Sequence, residues 1–142
     1  LVLLNARGEP PPVPMSHSVL IIDDQRDVRE ILALLLDKQG YRAATAGSGA
    51  EGLELAASQS FDVALVDWQM PDSDGVAVSR ELLAAAQARH QSLAVWLMTG
   101  ADVNLVNRQA QAAGCLGVFA KPLHVPELLA VLQAWFEHRA PA

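Results

Sequence analysis

Short runs of apolar residues alternate along the chain with stretches in which apolar residues recur every three or four positions. The runs have the length and the β-branched content of buried strands, and they cover residues 19–22, 41–45, 63–66, 93–98 and 116–120. The stretches with helical spacing follow them one by one, at residues 28–36, 53–56, 76–83, 103–110 and 128–136. The pattern therefore predicts five consecutive βα units.

Strands this apolar, separated by helices, are typical of a parallel sheet with helices on both faces. The predicted fold class is therefore α/β, a doubly wound (βα)5 arrangement with five parallel strands. In such sheets ligands bind just beyond the carboxyl ends of the strands. The residues that follow each apolar run are for this reason the first candidates for chemistry.

Length and composition indicate one folded domain. The 142 residues are 51% hydrophobic, which is enough for one sizeable core. Four of the eight prolines lie within residues 5–17, which predicts an extended linker and not part of the core. We therefore expect a proline-rich extension at residues 1–17, a folded domain at 18–139 and a tail at 140–142.

The charge balance excludes several classes of protein. A net charge of −6 and a pI of about 5.0 leave too few basic residues for direct nucleic acid binding. No window approaches the roughly 18 apolar residues of a membrane span, so we expect a soluble domain without membrane contact. The single Cys115 rules out an internal disulfide and fits a reducing compartment such as the cytoplasm.

Polar residues stand directly after four of the predicted strands: Asp23 and Asp24, Asp67, Thr99, and Lys121. Taken singly, each has a simpler explanation, because Asp and Thr cap helices and Lys is usually solvated on the surface. Taken together, three carboxylates at one edge would repel one another without a cation. Oxygen ligands with neither histidine nor thiolate suit Mg²⁺, and a lysine and a threonine beside the ion complete a site for a phosphoryl group.

The order of these motifs along the chain resembles that of the receiver domain of two-component signalling, the fold of the chemotaxis response regulator. The resemblance covers residues 18–139 and rests on four elements: the pair Asp23 and Asp24, the segment VDWQMPDSDG, the pair Thr99 and Gly100, and the pair Lys121 and Pro122. It implies a flavodoxin-like sheet with strand order 2-1-3-4-5 and a cis bond between Lys121 and Pro122.

The resemblance also implies a role for each site residue. Asp67 would be the phosphoacceptor, and Thr99 and Lys121 would contact the phosphoryl oxygens. Mg²⁺ would be held by Asp24 directly, by Asp23 mainly through water, by Asp67 and by the backbone carbonyl of Gln69. A buried strand before Asp67 suits this role, because in-line attack on phosphorus tolerates little misplacement. Gly75 is expected to supply the backbone freedom that the following turn needs.

The resemblance further implies protein partners. The phosphoryl donor would be a phosphohistidine on a sensor histidine kinase or a histidine phosphotransfer protein, and the output would pass to a downstream protein or an attached domain. The chain would catalyse its own phosphorylation and dephosphorylation, and it would not be an enzyme with other substrates. The motif DWQMP, which begins at Asp67, and the proline-rich extension favour the receiver of a hybrid histidine kinase. The alternative is a free-standing regulator that starts at Met15.

Two positions depart from the family pattern. Val118 stands three residues before Lys121, where many receivers carry a Tyr or Phe that moves inward with the threonine. Phe119 is one position further on and is expected on the opposite face of the sheet. The conformational switch is therefore expected to depend on Thr99, with Val118 in place of the ring. His124 replaces the usual Asp cap of the fifth helix and is interpreted as a surface residue.

Two other classes of protein share parts of this pattern. A haloacid-dehalogenase-like phosphatase also places an aspartate after a buried strand, but it needs a second aspartate two positions on, where this chain has Gln69. A pseudo-receiver that only docks partners usually lacks one site residue, whereas here the set is complete. We therefore predict a phosphorylated receiver, with the pseudo-receiver as the alternative.

Overall fold

The computed structural model describes residues 4, 6–8 and 17–138. Most of the predicted proline-rich extension at 1–17 and the whole predicted tail at 140–142 lie outside the described residues. Five long strands and five helices follow the predicted order. The strands are β1 (Ser18–Ile22), β2 (Arg42–Ala46), β3 (Val63–Asp67), β4 (Ala94–Thr99) and β5 (Gly117–Ala120). The helices are α1 (Arg26–Lys38), α2 (Gly49–Ser58), α3 (Gly75–Ala88), α4 (Val103–Ala113) and α5 (Val125–His138).

The five strands form one parallel sheet in the order β2-β1-β3-β4-β5. This arrangement confirms the predicted fold class and strand order. Strand β2 lies on one side of β1, and β3 and the later strands lie on the other side. The carboxyl ends of β1 and β3 are therefore neighbours at the switch point of the sheet. In the register of the sheet, Asp67 is opposite Met98 and Thr99 is opposite Ala120. The residues that follow the strands therefore meet at one edge.

The third strand is one residue longer than its apolar run, because Asp67 still takes part in the sheet. Asp67 is paired with Met98, and the backbone N–H of Trp68 donates to the carbonyl of Met98 at 2.8 Å. The apolar pattern ends at Val66 because the next side chain is polar, although the strand continues. The backbone of Asp67 is therefore held by the sheet itself.

Alternate residues of the strands bury their side chains in two separate cores. One core lies between the sheet and α2, α3 and α4, and the other lies between the sheet and α1 and α5. The strands β1, β3 and β4 are buried along their whole length, which explains why their sequences are continuously apolar. Within the described chain, no helix combines the length and the apolar character that crossing a membrane requires.

Short polar side chains begin three of the helices. Ser48, Asp74 and Asp102 each accept a hydrogen bond from a backbone N–H in the first turn of α2, α3 and α4, respectively. Asp102, and not Thr99, caps α4, so the capping explanation for Thr99 is wrong. Thr99 instead accepts a hydrogen bond at Oγ1 from the backbone N–H of Ala101 at 2.9 Å.

His124 has a structural role at the start of α5. Its Nδ1 accepts a hydrogen bond from the backbone N–H of Glu127 at 3.3 Å, and its carbonyl accepts from the N–H of Leu128 at 3.1 Å. The side chain is exposed, as expected for a surface histidine. The imidazole therefore caps the first turn of α5, as the usual aspartate would.

Candidate functional site

The carboxyl edge of the sheet brings Asp23, Asp24 and Asp67 together. One carboxylate oxygen from each lies within 4.8 Å of the other two. Asp23 is fully buried and Asp67 is only 6% exposed, whereas Asp24 lies exposed at the rim. The three acidic residues that were predicted from the sequence thus form one cluster, which opens to solvent beside Asp24.

Lys121 follows β5 and reaches into this cluster. Its Nζ lies 2.7 Å from Oδ2 of Asp23 and 3.3 Å from Oδ1 of Asp67. Burial of the ammonium opposes its charge, but the hydrogen bond and charge of Asp23, and then the charge of Asp67, raise the pKa of Lys121 above its ordinary value. The lysine is therefore a firmly held cation between two carboxylates. The bond between Lys121 and Pro122 is cis, as the resemblance implied.

The carboxyl group of Asp67 is short of compensating positive charge. Its pKa is raised from 3.8 to about 6, first by burial and then by the negative charge of Asp23. The charge of Lys121 acts in the opposite direction, and a hydrogen bond with Asp24 raises the pKa further. A divalent cation would relieve this repulsion. The donor set consists of carboxylates without histidine or cysteine, and it therefore fits Mg²⁺.

Both oxygens of the buried Asp23 carboxylate are already engaged. Oδ1 accepts from the backbone N–H of Gln25 at 2.9 Å, and Oδ2 accepts from Lys121. The bond to Gln25 is a local turn contact and not a helix cap, because Gln25 is the residue before α1 and the first turn of α1 has no side-chain cap. The capping explanation is therefore wrong for Asp23. Asp24 is exposed and is the more accessible residue of the adjacent pair.

Thr99 ends β4 next to Lys121. It is 2% exposed, and its carbonyl accepts from the backbone N–H of Lys121 at 2.7 Å. Its hydroxyl oxygen accepts from Ala101, which leaves the hydroxyl hydrogen available for donation. The sheet thus places the hydroxyl of Thr99 at the end of β4 and Lys121 just after the neighbouring strand β5.

Gly75 is required for a different reason from the one expected. The segment Gln69–Met70 pairs antiparallel with Ser73–Asp74, and α3 begins immediately afterwards. A Cβ at position 75 would lie 2.2 Å from the carbonyl oxygen of Asp67 and 2.8 Å from Cα of Trp68. Gly75 has no positive φ angle, so close approach of two backbones and not turn freedom demands glycine here.

The two residues at the position of the expected switch lie on opposite faces of β5. Val118 packs against the core that lies under α2, α3 and α4, and Phe119 belongs to the core under α1 and α5. This confirms the prediction that Phe119 faces away from Val118. The face of β5 towards α4 therefore carries no aromatic ring at position 118.

The structure also shows a contact of the site that sequence reasoning missed. Trp68 is half-buried, and its Nε1 donates a hydrogen bond to Oε1 of Gln109 on α4 at 3.0 Å. Nothing in the sequence marks Gln109, because its helical position reads as an ordinary exposed residue. The contact spans 41 positions and depends on how α4 packs on the sheet.

The chain matches the response regulator receiver domain family over residues 19–133. Because this match covers most of the sequence, the chain belongs to that family. Receiver domains are two-component signalling proteins, and they interact with histidine kinases or histidine phosphotransfer proteins.

Three curated relatives illustrate how the chain is similar to whole proteins of different length. It is 28% identical over 114 residues to sporulation initiation phosphotransferase F of Bacillus subtilis, covering 80% of this chain and 89% of that protein. It is 34% identical over 120 residues to response regulator MprA of Mycobacterium ulcerans, and the match covers 84% of this chain and 50% of MprA. It is 29% identical over 117 residues to the CAI-1 autoinducer sensor kinase/phosphatase CqsS of Vibrio cholerae, and the match covers 82% of this chain and 17% of CqsS. The chain thus spans only part of the last two proteins.

Solved structures show the same fold. The chemotaxis protein CheY4 of Vibrio cholerae aligns with a TM-score of 0.77 and 27% identity, covering 84% of this chain and 98% of that one. A chain of the co-crystal structure of the Saccharomyces cerevisiae histidine phosphotransfer signalling protein Ypd1 with the receiver domain of Ssk1 aligns with a TM-score of 0.78 and 19% identity, covering 87% and 91%. At that identity the second likeness concerns the fold alone.

Proposed function

We propose that Asp67 is the phosphoacceptor of this receiver domain. The observation that carries the proposal is the arrangement of Asp67 on the sheet, 3.3 Å from the ammonium of Lys121 and beside two further carboxylates. In the proposed reaction, an oxygen of Asp67 attacks the phosphorus of a phosphohistidine and forms an acyl phosphate. The P–N bond breaks, and its electron pair returns to the imidazole, which takes up a proton.

The acidic cluster would hold Mg²⁺ for this reaction. Asp24 and Asp67 would bind it directly, Asp23 mainly through water, and the backbone carbonyl of Gln69 would be a further ligand. The existing hydrogen bonds of Asp23 to Gln25 and Lys121 support the water-mediated role. When bound, Mg²⁺ supplies positive charge that neutralises the phosphoryl oxygens.

Lys121 and Thr99 would recognise the phosphoryl group once it is on Asp67. Phosphorylation moves negative charge outward from the carboxylate, and Lys121 already lies within reach of the reacting residue. The buried hydroxyl of Thr99 would donate its free hydrogen to a phosphoryl oxygen. These two contacts stabilise the phosphorylated state and would link it to the loop between β4 and α4.

Incubation with acetyl phosphate and Mg²⁺ tests the proposed function without a kinase. The intact chain should gain the mass of one alkali-labile phosphoryl group, and Asp67→Asn, which is nearly isosteric, should gain none. Addition of a chelator should prevent the gain in the unaltered chain. An unmodified chain in the presence of Mg²⁺ would favour the pseudo-receiver, and a modified Asp67→Asn variant would place the phosphoacceptor elsewhere.

An apolar groove beside Lys121 suits the phosphohistidine donor. It lies between α1 and the segment after β5, and its lining includes Val28, Ile31, Leu35, Pro122 and Val125. Ile31 is 58% exposed, although it is one of the large apolar residues of α1. A protein that presents phosphohistidine to Asp67 has to lie over this edge of the sheet, and this groove would bury an apolar helix face of the partner.

A comparison of two phosphoryl donors, a histidine kinase and acetyl phosphate, tests the docking surface separately from the chemistry at Asp67. Ile31→Lys should slow transfer from a purified histidine kinase that phosphorylates the unaltered chain, and it should not change the rate with acetyl phosphate. Leu116→Lys is the matched control, because Leu116 is 54% exposed at the other end of the sheet. Equal rates for both variants with the kinase would place the docking surface elsewhere.

The proposal extends to the domain organisation of the protein. Residues 18–139 would act as a cytoplasmic receiver module, and residues 1–17 would tether it to a preceding domain, as in a hybrid histidine kinase. The limited coverage of MprA and CqsS supports a role within longer proteins. The genomic context of the reading frame tests this organisation.

A further inference from the structure

The indole of Trp68 connects the end of β3 to α4. Its Nε1 donates to Oε1 of Gln109 at 3.0 Å, and the ring packs against the core under α2, α3 and α4. The bond therefore joins the residue that follows Asp67 to the middle of a surface helix. The proposed reaction at Asp67 makes no use of this contact.

The two ends of the bond are held with unequal firmness. The backbone of Trp68 is fixed on both sides, because its N–H donates to Met98 at 2.8 Å and its carbonyl accepts from Gly75 at 2.9 Å. Helix α4 buries only Val106 and Ala110, whereas α3 buries five residues. If α4 moves along the sheet, Trp68 stays in place and the hydrogen bond has to stretch or break.

We propose that the hydrogen bond between Trp68 and Gln109 restrains α4 in the position that it takes before phosphorylation. The inference rests on the proposed function, because Thr99 would donate to a phosphoryl group on Asp67 and only residues 100–102 separate Thr99 from α4. A change at Thr99 would therefore be passed to α4. In this chain Val118 cannot stabilise a displaced helix with an aromatic ring. The balance between the two positions of α4 is therefore sensitive to any contact that favours the initial one.

The effect of this restraint is measurable as a change in ligand affinity. A ligand that favours the activated position binds more tightly when a contact specific to the other position is removed. One side-chain hydrogen bond corresponds to about a two- to tenfold change in such an equilibrium. Gln109→Ala should therefore lower the beryllofluoride concentration that half-saturates the Mg²⁺-loaded chain by about two- to tenfold.

The chain offers matched controls for this titration, which backbone amide shifts in α4 would follow. Gln111→Ala makes the same change on the same helix, at an exposed residue whose side chain makes no hydrogen bond within residues 17–138. It should bind beryllofluoride like the unaltered chain. Trp68→Phe keeps a ring but removes the N–H, so it should reproduce Gln109→Ala. The double variant should bind no more tightly than either single variant.

A second measurement, hydrogen exchange of the α4 amides without metal, separates this inference from the proposed function. Exchange should be about two- to tenfold faster in Gln109→Ala than in Gln111→Ala. If both variants match the unaltered chain in exchange and in beryllofluoride affinity, the restraint is overturned and the proposed function stands. If exchange differs but the unaltered chain binds no beryllofluoride, the restraint stands and the proposed function fails.

Discussion

The ammonium of Lys121 lies 2.7 Å from Oδ2 of Asp23, although the two residues are 98 positions apart in the sequence. The carboxylate is fully buried and the lysine side chain is 18% exposed, so the pair is largely removed from water. Lys121 is also the cation nearest to Asp67 in the described site. The lysine thus compensates a buried charge, and in the proposed reaction it would also contact the phosphoryl group.

Replacing Lys121 should damage stability as well as chemistry. Lys121→Met keeps the apolar stem of the side chain but leaves Asp23 buried without its partner, which should lower the free energy of unfolding by about 3 kcal/mol. Lys121→Arg keeps the charge and should lose less. Urea unfolding at neutral pH measures the difference. Equal stability of the unaltered chain and Lys121→Met would show that Asp23 does not depend on the lysine.

The raised pKa of Asp67 should make the stability of the metal-free chain depend on pH. The folded-state pKa is about 6 against 3.8 for an ordinary Asp, so the folded chain binds this proton more tightly than the unfolded chain does. The resulting stabilisation is present below pH 3.8 and is lost as the pH rises through about 6.

Asp67→Asn removes this titration and is the variant that tests it. The variant should match the unaltered chain near pH 4 and exceed it by about 2 to 3 kcal/mol above pH 7, in the absence of metal. Denaturant unfolding across this range measures the gap. A gap that is constant with pH, or unfolding of Asp67→Asn at neutral pH, would contradict the electrostatic account of Asp67.

Much of this architecture could be predicted from the sequence because its causes are local. Apolar runs of strand length and helical spacing are properties of consecutive residues, and parallel strands bring their carboxyl ends to one edge. The sequence alone therefore predicts that Asp23, Asp67 and Lys121 lie together. The split between Val118 and Phe119 followed from the alternation of side chains along a strand.

The features that could not be predicted depend on contacts between distant segments. The approach of Gly75 to the backbone of Asp67 is set by how α3 leaves the sheet, and no local pattern reports it. The bond between Trp68 and Gln109 depends on the position of α4 in the same way. The sequence alone left open whether Thr99 caps α4, because only the start of the helix at Val103 shows that Asp102 is the cap.

Asp24 should control metal affinity more than stability. Because Asp24 is exposed and Asp23 is already hydrogen-bonded on both oxygens, Asp24→Ala should weaken Mg²⁺ binding by about tenfold or more while leaving the fold unchanged. Trp68 follows Asp67 directly, so its emission should report the titration. Asp72→Ala is the control, since Asp72 is an exposed aspartate of the neighbouring loop. Unchanged affinity in Asp24→Ala would place the metal elsewhere.

Gly75→Ala should be destabilising even though alanine is the better helix former. The added Cβ would meet backbone atoms of Asp67 and Trp68, which cannot rotate away as a flexible side chain could. We expect a loss of about 2 kcal/mol in the free energy of unfolding. Gly100→Ala is the control, because a Cβ there has no neighbour within 4 Å. If the two variants are equally stable, α3 can move back from Asp67 without cost.

The residue at position 118 should decide the size of the response to activation. Phosphorylation can shift the loop after Thr99 only by the difference in contact energy between the two states, and the half-buried Val118 adds no ring to the activated one. Beryllofluoride should therefore displace residues 100–104 and α4 less in this chain than in Val118→Tyr. In that variant the ring can pack into the space left by the loop, with a gain of about 1 kcal/mol. Val118→Ile, which enlarges the side chain without a ring, should respond like the unaltered chain.

Backbone amide shifts, recorded with Mg²⁺ alone and then with beryllofluoride, measure the displacement in the unaltered chain and in both variants. A displacement in the unaltered chain as large as that in Val118→Tyr would refute the idea that Val118 weakens the switch.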